Sequence, residues 1–217
     1  MLAVKYALHM DVHPSGQLES PESEISDEEL MMAYAQHNDQ QAFATLYTRH
    51  KGSLYRYCVR MLGNEALGAE LFQEAWSKVI KARARYEVKA KFTTYLFHVA
   101  HNLVIDQWRK HKPDMLSVDQ DDSHIELESS TDMFADLLSE ERLERFRAAI
   151  ANLPPIQRDV VLLHYDHGLT LEQIASLDGI GRETVKSRLR YAMKKLRTQL
   201  DTSQAAAHAI DNEVSHD

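Results

Sequence analysis

Apolar residues recur at three- and four-residue steps along most of this chain. Strict alternation is absent, so the pattern predicts packed helices and no sheet. Order is expected to begin at Ser26-Asp27-Glu28-Glu29, which has capping-box spacing before Leu30, Met31 and Ala33. After a break at Asn38-Asp39, a second helix carries Phe43, Leu46, Tyr47, Leu54, Tyr57, Cys58, Met61 and Leu62 on one stripe, and Gly63-Asn64 ends it. A third places Leu67, Leu71, Phe72, Ala75, Trp76, Val79 and Ile80 together. A fourth runs from about Thr93 to Lys110, with Leu96, Val99, Ala100 and Leu103 inward. The short connections between these segments imply a bundle.

Residues 113–131 are acidic, rich in Ser and Asp, and aperiodic, which is the composition of a linker. A helix is expected to resume near Asp132, with Phe134, Leu137, Leu138, Phe146 and Ile150 on its apolar side. Pro154-Pro155 opens another through Tyr165, since proline is tolerated in a first helical turn, and Gly168 ends it. Thr170-Leu171-Glu172-Gln173 repeats the capping-box spacing before Ile174-Ala175. Leu177-Asp178-Gly179-Ile180-Gly181 reads as a tight turn in which glycine can take positive φ. The helix from Arg182 to Gln199 then turns Val185, Leu189, Ala192 and Leu196 inward. Arg182, Lys186 and Arg190, at i, i+4 and i+8, share the outer face with Glu183 and Ser187 beside them. Cap, short helix, glycine turn and basic helix in this register predict a helix-turn-helix. Arg182, Glu183, Lys186, Ser187 and Arg190 are therefore assigned to DNA contact. The competing reading of that stripe is a solvated basic face on an ordinary helix.

The expected organisation is all-α: a disordered leader at 1–25, a helical domain at 26–112, the acidic linker at 113–131, a helix-turn-helix domain at 132–200 and a disordered tail at 201–217. Charge sharpens this division. The chain carries a net −8, yet residues 45–112 hold thirteen basic against five acidic side chains, and residues 141–200 hold eleven against seven. Everything else has Lys5 against twenty-one carboxylates. Two basic modules in an acidic chain point to phosphate backbones as partners, because binding there releases counterions. The single Cys58 excludes an internal disulfide and suits a reducing cytoplasm. No apolar run reaches the roughly 18–20 residues needed to span a bilayer, and the N-terminal residues lack the features of a signal peptide.

The third helix sets Glu70, Gln73, Glu74 and Ser77 opposite its apolar stripe. The chain then interleaves cations, aromatics and amides through Lys89-Ala90-Lys91-Phe92-Thr93-Thr94-Tyr95 and Asn102 to Arg109. Such a mixture suits single-stranded DNA: cations track the backbone, aromatic faces accept unstacked bases and Asn reads a base edge. Phe92, placed in the basic loop, is the preferred base-contacting aromatic, while Tyr95, Phe97 and Trp108 are weighed against roles in the core.

With these runs the chain resembles bacterial RNA polymerase sigma factors of the small extracytoplasmic-function (ECF) type. The matching pieces are Ala42-Phe43 with Leu46-Tyr47, Glu70-Leu71-Phe72-Gln73-Glu74, Phe92-Thr93-Thr94-Tyr95-Leu96, and Ala100, Asn102, Ile105, Asp106 and Arg109. The second module adds Leu153-Pro154, Gln157-Arg158, Glu172-Gln173-Ile174-Ala175 and Thr184-Val185-Lys186-Ser187-Arg188-Leu189. The resemblance implies that Glu70, Gln73 and Glu74 dock on core RNA polymerase. It implies that Lys89, Lys91, Phe92, Tyr95, Asn102 and Arg109 read and melt the minus-10 element, and that the Arg182–Arg190 face reads the minus-35 element of promoter DNA. An anti-sigma factor is a further implied partner. Gly68-Ala69 stands where an acidic residue is usual, Tyr95 replaces a common Trp, His101 a common Arg, and Gly181 and Glu183 depart from a usual Pro and Gly.

A conventional helix-turn-helix repressor or activator is the alternative; it would bind palindromic duplex without polymerase and needs no single-strand platform. An enzyme is the third class. His98 and His101 lie one turn apart but lack a third ligand of suitable spacing, and no phosphate loop or nucleophile constellation occurs. The expectation is a non-enzymatic cytoplasmic protein without metal or cofactor.

Overall fold

The structure, a computed structural model, describes residues 25–111 and 140–214, which divide into two compact units. All regular elements among them are helical. The leader, the linker and the residues around Phe134, Leu137 and Leu138 lie outside the described residues.

In the first unit, local caps set most boundaries. Helix α1 (Asp27–His37) opens on a reciprocal capping box: Ser26 Oγ accepts the Glu29 N–H at 3.2 Å, and the Glu29 carboxylate accepts the Ser26 N–H at 2.9 Å. It closes at Asn38 in the left-handed region, φ 54°. Helix α2 (Gln40–Leu62) starts from Asp39, whose carboxylate accepts the N–H groups of Gln41 and Ala42, and stops at Gly63 with φ 62°. Helix α3 (Glu65–Ala82) is capped by Asn64 and runs into a 3-10 turn at Arg83–Arg85. Helix α4 (Phe92–His111) packs on α2 and α3. Their inward faces, among them Leu46, Leu54, Met61, Leu71, Trp76, Val79, Leu96, Phe97 and Val104, form one buried core. Cys58 lies inside it, and burial pushes its thiol pKa up to about 12.

Two features of this packing are not local. A Cβ on Gly68 would stand 2.8 Å from Val59 Cα and 2.9 Å from Val59 N, so α2 and α3 cross with a glycine at the contact. At the start of α4 the residue preceding the helix is Lys91, whose side chain cannot accept a hydrogen bond. The acceptor comes from α1: Glu28 Oε1 takes the Phe92 N–H at 2.5 Å. The Phe92 ring is fully buried, with the rings of His50, Tyr95 and Tyr86 at centroid distances of 5.4, 6.1 and 6.4 Å. The expectation that Phe92 offers its face to an unstacked base is therefore corrected. Its backbone closes the helix and its ring anchors the preceding loop in the core.

The second unit packs helix α5 (Glu140–Ala151), α6 (Pro155–Val161) and α7 (Leu171–Asp178) with α8 (Arg182–Val214). Pro155 occupies the first turn of α6, which continues into a π-helical turn at Leu162–Asp166, and Gly168 takes φ 72°. Phe146, Ile150, Val160, Leu163, Ile174, Val185, Ala192 and Leu196 fill the core. Helix α8 continues past Leu200 to Val214, where a frayed tail is expected. The stretch through Ala205-Ala206-Ala207 has high helix propensity and contains neither Pro nor Gly.

Candidate functional site

The polar face of α3 is presented as its periodicity requires. Glu70, Gln73 and Glu74 are all exposed, while Leu71, Ala75, Trp76 and Val79 point into the core. Glu74 meets Lys78 one turn on at 3.8 Å. Beside them a shallow groove of about 240 Å³ separates α3 from α4, with Glu70 and Glu74 on one wall and Asp106 and Lys110 on the other. Leu67, 36% exposed, sits at its edge. The face therefore combines carboxylates, an amide and an apolar rim. Such a mixture suits a basic protein surface better than a phosphate backbone.

The loop Glu87–Lys91 is exposed throughout, and both of its ends are fixed. Tyr86 on one side packs edge-on against Tyr95 at 5.3 Å, and Phe92 is buried on the other. Burial, then the neighbouring Glu28, Tyr95 and Asp27, push the Tyr86 phenol pKa up to about 12. Lys89 and Lys91 project from the loop; Lys89 pairs with Glu87 at 2.8 Å, which holds the ammonium pKa above its ordinary value. Between them and Glu87, Val88 is 54% exposed, an apolar tip that no helical periodicity picks out. Along α4, Asn102 and Arg109 are exposed, Arg109 lying 3.7 Å from Asp106, and Tyr95 is half-buried. Phe97 and Trp108 belong to the core. His98 is exposed and His101 buried.

In the second unit the predicted turn is present in detail. Thr170 Oγ1 accepts the Gln173 N–H at 3.2 Å, and Gln173 Oε1 accepts the Thr170 N–H at 2.8 Å. Gly179 takes φ 66°, a conformation costly for any residue with a Cβ, whereas Gly181 does not need positive φ. A short ion pair, Arg188 Nη1 to Asp178 Oδ2 at 2.6 Å, ties α8 to α7 with both side chains largely buried. This fixes the angle at which α8 leaves the turn. Arg182, Glu183 and Lys186 are exposed on its outer face and Ser187 is half-exposed. Arg190 stacks its guanidinium 5.3 Å from the Tyr191 ring centre. Arg182 is not a loose cation: Nε donates to Glu172 Oε1 at 2.5 Å, and Nη1 donates to Glu183 Oε1 at 3.0 Å. Those bonds raise the Arg182 pKa, while the Glu172 pKa is held below the usual carboxylate range by its own backbone N–H and then by Arg182.

Two bundled faces and a helix-turn-helix in this chain order agree with the sequence comparisons. Residues 46–113 match sigma-70 region 2, and residues 149–198 match sigma-70 region 4. The chain belongs to the sigma-70 family, as an ECF-type sigma factor. It is 33% identical over 173 residues to the ECF RNA polymerase sigma factor SigW of Bacillus subtilis, covering 75% of this chain and 90% of the relative. It is 29% identical over 161 residues to the RNA polymerase sigma factor CarQ of Myxococcus xanthus, covering 74% and 90%. Among solved structures, the sigma factor RpoE bound to the anti-sigma factor NepR, from Bartonella quintana, superposes with a TM-score of 0.56 at 21% identity, covering 74% of this chain and 98% of that one. CnrH in complex with the cytosolic domain of CnrY gives 0.57 at 21%, covering 82% and 99%. These likenesses extend the family fold to both units. No helix of the described residues is long and apolar enough to cross a membrane.

Proposed function

We propose that this sigma factor divides its work among three surfaces. The exposed α3 face at Glu70, Gln73 and Glu74 docks on core RNA polymerase. The anchored loop at Lys89 and Lys91, with Tyr95, Asn102 and Arg109 along α4, engages the minus-10 element as it opens. The α8 face at Arg182, Glu183, Lys186, Ser187 and Arg190 reads the minus-35 element. As a sigma factor, the protein acts as an initiation subunit of polymerase and not as an independent regulator. Such factors are in general non-enzymatic, and the reading assigns no catalytic chemistry. The observation that carries it is the pairing of region 2 with region 4 on units that expose these three faces.

An anti-sigma protein is the expected regulator, since both structural relatives described above were solved with such a partner or with another protein's cytosolic domain. The working compartment is the cytoplasm, where polymerase and chromosome are. The test is transcription by core polymerase on a promoter library, with and without the full chain. Start sites dependent on the chain, lost when either element is scrambled, are expected. Tight binding to duplex operators with no change in polymerase start sites would leave the repressor reading standing instead.

A further inference from the structure

We propose that Glu172 is a positioning residue for Arg182, holding its guanidinium in a fixed pose to read a guanine in the minus-35 duplex. This inference rests on assigning α8 to that element. Glu172 lies on α7, whose start is locked by the Thr170–Gln173 capping box and whose angle to α8 is locked by Asp178 and Arg188. The brace therefore comes from a rigid neighbour and not from the recognition helix itself. Arg182 is the first residue of α8, and the residue before it, Gly181, has no side chain to cap the helix or restrain the arginine. Without Glu172 a long, half-exposed side chain would sample many rotamers, and ordering it on DNA would weaken binding.

The geometry of the donors favours a base edge over a phosphate. Of the five N–H groups of a guanidinium, Nε is committed to Glu172 and one hydrogen of Nη1 to Glu183, leaving the second Nη1 hydrogen and both Nη2 hydrogens uncommitted. Two of these, one from each nitrogen, can donate a pair of hydrogen bonds to guanine O6 and N7. The charge balance points the same way. Glu183 also faces Lys186, at 3.7 Å, so Glu172, Arg182, Glu183 and Lys186 form a quartet of two cations and two carboxylates with no net charge. A neutral quartet gains little from counterion release, while a directional donor fixed by carboxylates gains discrimination. Exposed Lys194 and Lys195 lie further along the helix and supply attraction for the backbone.

The experiment measures binding of the full chain, and of holoenzyme made with it, to a duplex library randomised across the minus-35 element, for wild type, E172A, E172Q, R182A, E172A/R182A, K186A and R190A. Glu172 is exposed, and circular dichroism checks that each variant is folded. R182A is expected to flatten the preference for guanine at one base pair by about 5- to 150-fold. E172A should flatten the same pair by a large part of the R182A factor and by no more than it, since a brace cannot matter more than the side chain it holds, and should steepen the salt dependence by up to about one counterion as the released arginine turns to phosphate. E172Q, which keeps the acceptor oxygen, should largely restore the preference, and E172A should add nothing in the R182A background. If E172A keeps the full preference, whether its affinity rises or falls, the brace is refuted while the minus-35 assignment survives. If R182A, K186A and R190A all leave both affinity and preference unchanged, the assignment of α8 fails and the brace with it.

Discussion

The bond from Phe92 N–H to Glu28 joins two segments 64 positions apart, so Glu28→Ala tests whether α4 depends on α1 for its first turn. The substitution leaves the Phe92 N–H without an acceptor at a residue that is fully buried, with the Tyr86 ring packed against its own. Losing a helix cap costs roughly 0.5–2 kcal/mol, and an orphaned buried donor roughly 1–3 kcal/mol. These describe the same lost bond and overlap, so the expected total is about 2 kcal/mol. For a unit of this size, each 1 kcal/mol moves the midpoint by roughly 4–8 °C, giving a fall of about 8–16 °C. The chain has two tryptophans, Trp76 and Trp108, and both are buried in the first unit. Tryptophan fluorescence of the full chain during heating therefore follows this unit alone. Glu28→Gln keeps an acceptor but loses the charge; since charge-assisted bonds are roughly twice as strong as neutral ones, it should show about half the fall. A Glu28→Ala midpoint within about 2 °C of wild type, against that scale, would show that water replaces the carboxylate and that α1 does not hold the loop.

Other substitutions address the remaining surfaces. Glu74→Lys reverses charge on an exposed face and should abolish co-purification with core polymerase while leaving the thermal midpoint unchanged; equal recovery of mutant and wild type would move the docking site elsewhere. Lys186→Ala or Arg190→Ala should weaken minus-35 binding by about 1–3 kcal/mol if the side chain reads a base, or reduce the salt slope by about one if it holds phosphate; titration at several salt concentrations separates these. Gly68→Ala gains about 1 kcal/mol of helix propensity but presses a methyl group onto Val59 backbone atoms, a contact that costs about 1–3 kcal/mol. Because Val59 Cα cannot move aside without separating α2 from α3, net destabilisation is expected, and adding Val59→Ala should not rescue it.

Where caps are local, the sequence foretold the fold closely. Ser26 with Glu29 and Thr170 with Gln173 sit three residues from the N–H groups they satisfy, so the starts of α1 and α7 could be read directly, whereas Asp39 and Asn64, read only as a break and a helix end, prove also to cap α2 and α3. Gly63, Gly168 and Gly179 mark stops for the same reason, since each takes positive φ. The start of α4 could not be found this way, because its acceptor arrives from Glu28 in another helix. Gly68 likewise reads as an ordinary helical position until Val59 is seen against it. Its signal is a glycine in mid-helix, which costs stability unless something needs the space.

The candidate surfaces follow the same division, and Phe92 shows how. Its neighbours Lys89, Ala90 and Lys91 are polar or small, so sequence order places it in an exposed basic loop. Position along the chain does not determine which way a ring points at a helix start, and here the first turn of α4 turns Phe92 inward. The exposed apolar residue of that loop is Val88, 54% accessible, four positions earlier. The consequence concerns mechanism. With Tyr86 and Phe92 both anchored against Tyr95, the five residues between them form a short loop held at both ends. On the proposed minus-10 assignment, Lys89 and Lys91 would meet DNA from a preorganised support, at less entropic cost than cations on a free segment. The helix-turn-helix repeats this principle with different chemistry: Asp178 and Arg188 set the helix, and Glu172 restrains the arginine at its tip. In both units the exposed cations are conspicuous in the sequence, while the contacts that hold them, Glu28 to Phe92 and Glu172 to Arg182, join different helices and become visible only when the chain is folded.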